Sequence, residues 1–243
     1  MIHQDLVERF TAFFSRQPSA IYELGSRDGE DAARLAAAAP DAHVIAFECN
    51  PDTVPTVQDR LADVPKARAV DMAVTDFDGT TIFHKIDPLR TVTTWADGNP
   101  GASSLFVASG KYPIEQYAQT PVRVCAGRLD TLIDAGTVPA PELLWIDLQG
   151  AELAALRGLG RHLGRVGLVY VELSFLDIYD AQPVARDVIR FLRRAGFRIA
   201  AVPWKGTFQC EALFVNVRRL GPMERGRALI RGLGLERKAR APG

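Results

Sequence analysis

The chain has 243 residues, with 29 basic and 29 acidic side chains and a formal net charge of zero. A neutral chain that is 47% apolar has material for a substantial core and lacks the field that draws proteins to nucleic acid or anionic membranes. No apolar run of about twenty residues is present and the start MIHQDLVERF carries no apolar stretch behind a basic one, so neither a membrane span nor a secretory signal is expected.

Residues 2–15 place Leu6, Val7, Phe10, Phe13 and Phe14 at helical spacing, which predicts a lead-in helix without a chemical role. Ala20–Leu24 reads as a short strand. Gly25 and Gly29 follow it and mark a tight strand-to-helix turn. The alanine-rich stretch Asp31–Ala39 predicts a helix stopped by Pro40. His43–Glu48, HVIAFE, is a continuous apolar run suited to a strand buried on both faces. Thr53–Leu61 predicts a helix that tolerates Pro55 near its start, and Ala67–Val74 a third strand. This alternation predicts an α/β fold with a mostly parallel, doubly wound sheet, whose ligand crevice lies at the carboxyl ends of the strands.

The alternation breaks at residue 76. Asp76–Gly79 reads as a turn and Thr80–Lys85 as a strand, together a hairpin. Residues 76–121, rich in Gly, Pro, Ser and Thr toward their end, predict an inserted lid or substrate-facing segment. Val122–Cys125 predicts a strand and Arg128–Ala135 a short helical turn. Leu143–Leu148 and Gly167–Leu173 read as buried strands, with a helix at Ala151–Leu159 between them. Val184–Ala195 predicts an amphipathic helix stopped by Gly196. Phe197–Pro203 and Ala212–Val217 complete the sheet as an antiparallel edge pair. Residues 1–217 then form one domain, and 218–243, with eight basic side chains against two acidic, a basic tail.

The candidate chemistry lies at the strand ends. Glu23, Gly25, Ser26, Arg27 and Gly29 spell E-x-G-x-R-x-G, in which backbone N–H groups and a helix N-terminus would meet a nucleotide-like ligand. A nicotinamide enzyme more often shows G-x-G-x-x-G there. Glu48, 25 residues after Glu23, ends the next strand, where a carboxylate can accept from ribose hydroxyls; Cys49 and Asn50 adjoin it. Asp71 and Met72 end the third strand near an adenine position, although a loop acid beside a core methionine explains them equally well. Asp147 and Glu172 end two neighbouring strands. One could act as general base, or both could hold a divalent cation. Glu152 opens a helix, where a negative charge suits the dipole. In the insertion, His84 is a candidate base that a surface histidine accounts for as well, while Ser103, Ser104 and Tyr112 are candidate substrate contacts. No His/Cys cluster supports zinc, and no G-x-S-x-G elbow supports a hydrolase triad.

These blocks resemble the FkbM-type methyltransferases. LLWIDLQGAELAALRGL at 143–159 is similar to their signature, YELGSRDG at 22–29 to their cofactor turn and AFECNP at 46–51 to their ribose segment. DMAVTDFDGTTIF, GASSLF, LVYVELSFLDIY and CEALFVN follow as further blocks in the usual order, so the resemblance covers residues 18–217. It implies a class I Rossmann-like fold and methyl transfer from S-adenosylmethionine to a hydroxyl of a sugar, polyketide or other natural product. It also implies cofactor contacts at Glu23, Gly25, Gly29 and Glu48, and acids near the reacting centre at Asp147 and Glu152. The chain departs from the pattern at Trp145 and Gln149, where Lys and Glu are frequent, and at Arg27, where small or amide residues are common. Arg27, a cation beside a sulfonium, is expected to point away or toward the cofactor carboxylate. A nicotinamide oxidoreductase and a non-catalytic binding module are the alternatives. Cys49, Cys125 and Cys210, far apart and outside any CxxC, suit reduced thiols in the cytoplasm; the sequence leaves homodimer formation open.

Overall fold

A seven-stranded sheet forms the centre of the computed structural model, which describes residues 2–222. Its strands are β1 (Ala20–Leu24), β2 (His43–Glu48), β3 (Ala67–Asp71), β7 (Leu143–Ile146), β8 (Leu168–Ser174), β9 (Phe197–Lys205) and β10 (Gln209–Asn216). The spatial order is β3-β2-β1-β7-β8-β10-β9. The order reverses between β1 and β7, which is where an open α/β sheet forms its ligand crevice. β1, β2, β3, β7 and β8 pair in parallel, whereas β10 runs antiparallel to both β8 and β9. The expected antiparallel edge pair is therefore present, with β10 its reversed member.

Side-chain alternation along the strands divides the core between two faces. Ile21, Val44, Ala46, Leu143, Leu168 and Tyr170 pack against α1 (Ile2–Phe14), α2 (Glu30–Ala38) and α3 (Val54–Leu61). Tyr22, Leu24, Ile45, Phe47, Leu144 and Ile146 pack on the other face. Their partners there include α5 (Glu152–Gly158) and α6 (Ala185–Ala195). The helix α6 ends at Gly196, in the left-handed conformation (φ 100°) that made it a predicted stop. Trp145 points toward the α1 side. It stacks on His3 with ring centroids 4.9 Å apart and lies against Tyr170 at 4.6 Å. The Trp found in place of the frequent Lys thus belongs to the packing of α1.

Two expectations fail in the insertion. The run 67–74 is not one strand: it breaks at Met72, and β4 (Ala73–Val74) leaves the main sheet for a second sheet, in which β6 (Gln119–Gly127) lies between β4 and β5 (Gly79–Ile86). There is also no hairpin at Asp76–Gly79. β4 pairs in parallel with β6, and β5 pairs antiparallel with that same strand. The hairpin connection is instead the long excursion between β5 and β6. Its return is held by the His84–Ser104, Val92–Gln116 and Ala108–Tyr179 bridges. α4 (Leu129–Asp134) then leads back to the main sheet. The basic tail expected from residue 218 falls outside the described residues from 223 onward.

Among the described residues, no helix is long and apolar enough to cross a membrane.

Candidate functional site

A cavity of about 300 Å³ opens at the carboxyl ends of the parallel strands, under the β5–β6 excursion. Its volume is in the range of small-molecule sites. Gly25, Arg27, Glu48, Cys49, Asn50, Met72, Asp147, Glu172, Ser103 and Tyr112 all contribute to its lining.

The turn after β1 is shaped by close backbone approach. Gly25 has φ +86°, and a Cβ on it would lie 1.9 Å from the carbonyl oxygen of Asp147, so only glycine fits. The expectation of unoccupied N–H groups at this turn is not met. The Gly25 and Ser26 amides both donate to Phe47 O, at 3.0 and 3.1 Å, and Gly29 N donates to Ser26 O at 3.1 Å. From this turn, Gly25 and Arg27 are the residues that line the cavity. Glu23 and Ser26 lie behind it, 1% and 4% exposed. The Ser26 hydroxyl donates to the Glu23 carboxyl, and burial pushes that carboxyl well above its ordinary range despite this bond. Glu23, Ser26 and Gly29 therefore shape the turn without lining the cavity.

Glu48 accepts from three amides, Arg27 N on Oε2 at 2.7 Å and Cys49 N and Asn50 N on Oε1 at 2.8 Å each. Burial raises its pKa and these amides hold it back. The Thr53 side chain is a further hydrogen-bonding partner of this carboxylate. Arg27, itself left-handed at φ 55°, sends its side chain away from the turn. Its Nη2 is 2.5 Å from Asp97 Oδ2, and its guanidinium stands over Trp95 at 5.2 Å. The side chain thus ties the turn to the insertion.

Apolar lining from Met72, Val74, Phe83 and Leu105 continues from Glu48. Asp71 pairs in register with Glu48 across β2–β3 but is exposed and outside the cavity. His84 is also outside: Phe83 lines the cavity, so its neighbour on β5 faces the other way.

On the other side of Gly25 the floor is acidic. Asp147 and Glu172, at the ends of β7 and β8, are bridged by the Gln149 amide, whose Nε2 is 2.7 Å from Asp147 Oδ1 and 3.3 Å from Glu172 Oε2. Gln209 donates to the same Glu172 oxygen at 2.8 Å. The Tyr179 hydroxyl lies 2.6 Å from Ala102 O and 3.0 Å from Gln149 Oε1 and has one proton to donate between them. Removal from bulk water raises the pKa of both acids, and the charge of Asp147 pushes Glu172 up further. The pair is a proton-holding site next to the cavity.

Glu152 lies just beneath the cavity, accepting from Leu148 N at 3.0 Å and Gly150 N at 3.1 Å on Oε1. Burial lifts it to about 7. Ser103 Oγ accepts from Ile86 N at 2.9 Å. Ser104 is fully buried and donates to Gln149 O at 2.6 Å, so it braces the acidic loop without lining the cavity. Tyr112 does line it, 6.0 Å from the ring of Tyr117.

Phe83, Trp95, Asn99, Glu115, Tyr117 and Gln209 also line the cavity and had no sequence signal of their own. Gln149 had one, as a departure from a recurring pattern. Among the described residues, no three His, Cys, Asp or Glu side chains are grouped to hold a metal ion.

Comparison with known proteins gives a consistent result. The model of the methyltransferase FkbM domain matches residues 23–199. The chain is 23% identical over 195 residues to the 2-O-methyltransferase NoeI of Sinorhizobium fredii, covering 79% of this chain and 76% of that protein. It is 26% identical over 160 residues to the hexuronic acid methyltransferase AglP of Haloferax volcanii, covering 65% of this chain and only 57% of that protein. The cofactor-bound crystal structure of Rv0187 from MTB is similar in fold, with a TM-score of 0.51 at 14% identity over 90% of this chain and 80% of that one.

Proposed function

Because the chain belongs to the FkbM methyltransferase family and is an S-adenosylmethionine-dependent methyltransferase, we propose that it methylates a hydroxyl oxygen on a sugar, glycan or related natural product. The observation that carries this reading is the single cavity in which a ribose-suited carboxylate, Glu48, and a proton-holding pair, Asp147 and Glu172, line the same space. Two relatives named as a 2-O-methyltransferase and a hexuronic acid methyltransferase support a carbohydrate acceptor.

The residues present fit the cofactor. Glu48 lies on the cavity wall at the end of β2, where its carboxylate could accept from a ribose hydroxyl, and carboxyls surround the position of a cationic centre. Met72, Val74, Phe83 and Leu105 would pack on the adenine. S-adenosylmethionine supplies a methyl group already activated by its sulfonium, so the protein's task is alignment and exclusion of water.

In this reading Glu48 holds the ribose, and Gly25 and Asp147 set the depth of the cofactor. The Asp147–Glu172 pair takes the proton of the acceptor hydroxyl, with Gln149 fixing the direction of both carboxyls. Tyr112 and Tyr117 from the insertion wall the acceptor. His84, turned away on β5, has no part. The three cysteines, none in a disulfide, suit a reducing compartment such as the cytoplasm.

The test is mass spectrometry of glycoside acceptors incubated with the protein and S-adenosylmethionine. Products one methyl group heavier, with the methyl on oxygen, are expected. Cofactor binding with no transfer to any hydroxylated acceptor would overturn the reading.

A further inference from the structure

The ionisable groups that line the cavity are mostly acids. Glu48, Glu115, Asp147 and Glu172 line it, and Arg27 is its one cationic lining residue among those described. Arg27 is already engaged by Asp97 and by the face of Trp95. Nearby lysines are engaged outside the cavity, Lys111 with Asp177 and Lys85 with Asp52.

Glu115 is the informative member. It is 8% exposed, and its donors are all neutral: the Tyr117 hydroxyl at 2.6 Å, the Asn99 amide at 3.1 and 3.2 Å, and the Thr93 hydroxyl. Among the described residues no cation is paired with it. It belongs to the insertion and lines the cavity. A buried carboxylate held only by neutral donors repels a second carboxylate or a phosphate, and accommodates neutral hydroxyls or an ammonium. The insertion also lends Trp95, Tyr112, Tyr117 and the Asn99 amide to the lining, and the Arg27 guanidinium that stands over Trp95 is paired with Asp97.

We propose that this site selects its acceptor by charge: it takes uncharged or amino sugars and rejects their uronate and phosphorylated counterparts. The proposal rests on the sugar-hydroxyl reading above and deepens it, setting the acceptor of this chain apart from that of the relative named for a hexuronic acid. Discrimination by a repulsive element is the general route to specificity between isosteres that share every other contact.

The experiment measures kcat/KM of methyl transfer by the full chain to matched aryl glycosides: glucoside, glucosaminide and glucuronide, and galactoside with galacturonide. The uncharged or aminated member of each set is expected to be favoured over the uronide by roughly tenfold or more, the discrimination that like-charge juxtaposition gives. In Glu115→Gln the ratio should fall toward one. A uronide used as well as its neutral partner overturns the proposal and leaves the sugar-hydroxyl reading standing. A folded Glu115→Gln protein that keeps the full ratio also overturns it. Transfer to no member of either set, with S-adenosylhomocysteine still bound, overturns that reading and this proposal together.

Discussion

Gly25 and Asp147 are packed so closely that a Cβ on Gly25 would stand 1.9 Å from the Asp147 carbonyl oxygen. The contact joins the glycine turn after β1 to the acidic loop after β7, and residues of both line the cavity. Gly25→Ala should therefore damage both. The left-handed backbone alone costs alanine about 1–2 kcal/mol, and the overlap forces β1 and β7 apart. Urea denaturation should show the loss of stability. Calorimetry on the protein that remains folded should show S-adenosylhomocysteine binding weakened by roughly tenfold or more, about 1.4 kcal/mol.

Gln149 supplies a neutral donor between two raised carboxyls. Gln149→Glu would place a third carboxyl there and remove the amide that holds them. Methyl transfer at neutral pH should fall by roughly 10–100-fold, part of the factor a positioned base contributes. S-adenosylhomocysteine binding should change little. The rate of the unaltered protein should rise with pH as the Asp147–Glu172 pair loses its proton, because both pKa values are raised. In Gln149→Glu that rise should move to higher pH. A pH–rate profile for each protein checks both statements.

Glu142 and Glu152 should make stability respond to pH in opposite directions. Burial pushes Glu142 up, but Arg16 at 2.6 and 2.5 Å, with Ser19 and Arg219, outweighs it and holds the carboxyl at about 2, below its ordinary 4.5. Its contribution is therefore present above pH 4.5 and lost as pH falls through 2. Glu142→Gln should cost about 1–2 kcal/mol at pH 7, discounted because Arg16 is half exposed. Glu152 is raised to about 7, so its contribution is present below pH 4.5 and lost as pH rises through 7. Glu152→Gln keeps the Oε1 acceptor for Leu148 N and Gly150 N and should flatten the decline near neutral pH. Melting temperatures of the three proteins from pH 3 to 8 test the signs.

The fold was legible where local pattern and tertiary role coincide. HVIAFE marked β2 to the residue, and Gly196 marked the end of α6, because an apolar run and a left-handed cap each depend on a few adjacent residues. The break at Met72 was hidden because ARAVDMAV has no Gly or Pro to mark a stop, while its division between two sheets is decided by β6, some fifty residues later. The site divided in the same way. Glu48, Asp147 and Glu172 were found because strand ends are predictable positions. Phe83 was passed over for His84, since sequence gives the alternation on β5 but not which face meets the cavity. Glu115, Tyr117 and Gln209 come from the excursion and the last strand, and nothing short of the folded chain brings them together.

The most direct test of the site is calorimetry with S-adenosylhomocysteine on the unaltered protein and on Glu48→Ala. The unaltered protein should bind one equivalent. Loss of hydrogen bonds to a charged carboxylate is worth about 1.5–3 kcal/mol, so Glu48→Ala should bind roughly ten- to a hundredfold more weakly. Equal affinity in the two proteins would contradict the placement of the cofactor at the end of β2, and absence of binding in the unaltered protein would contradict the cavity's assignment altogether.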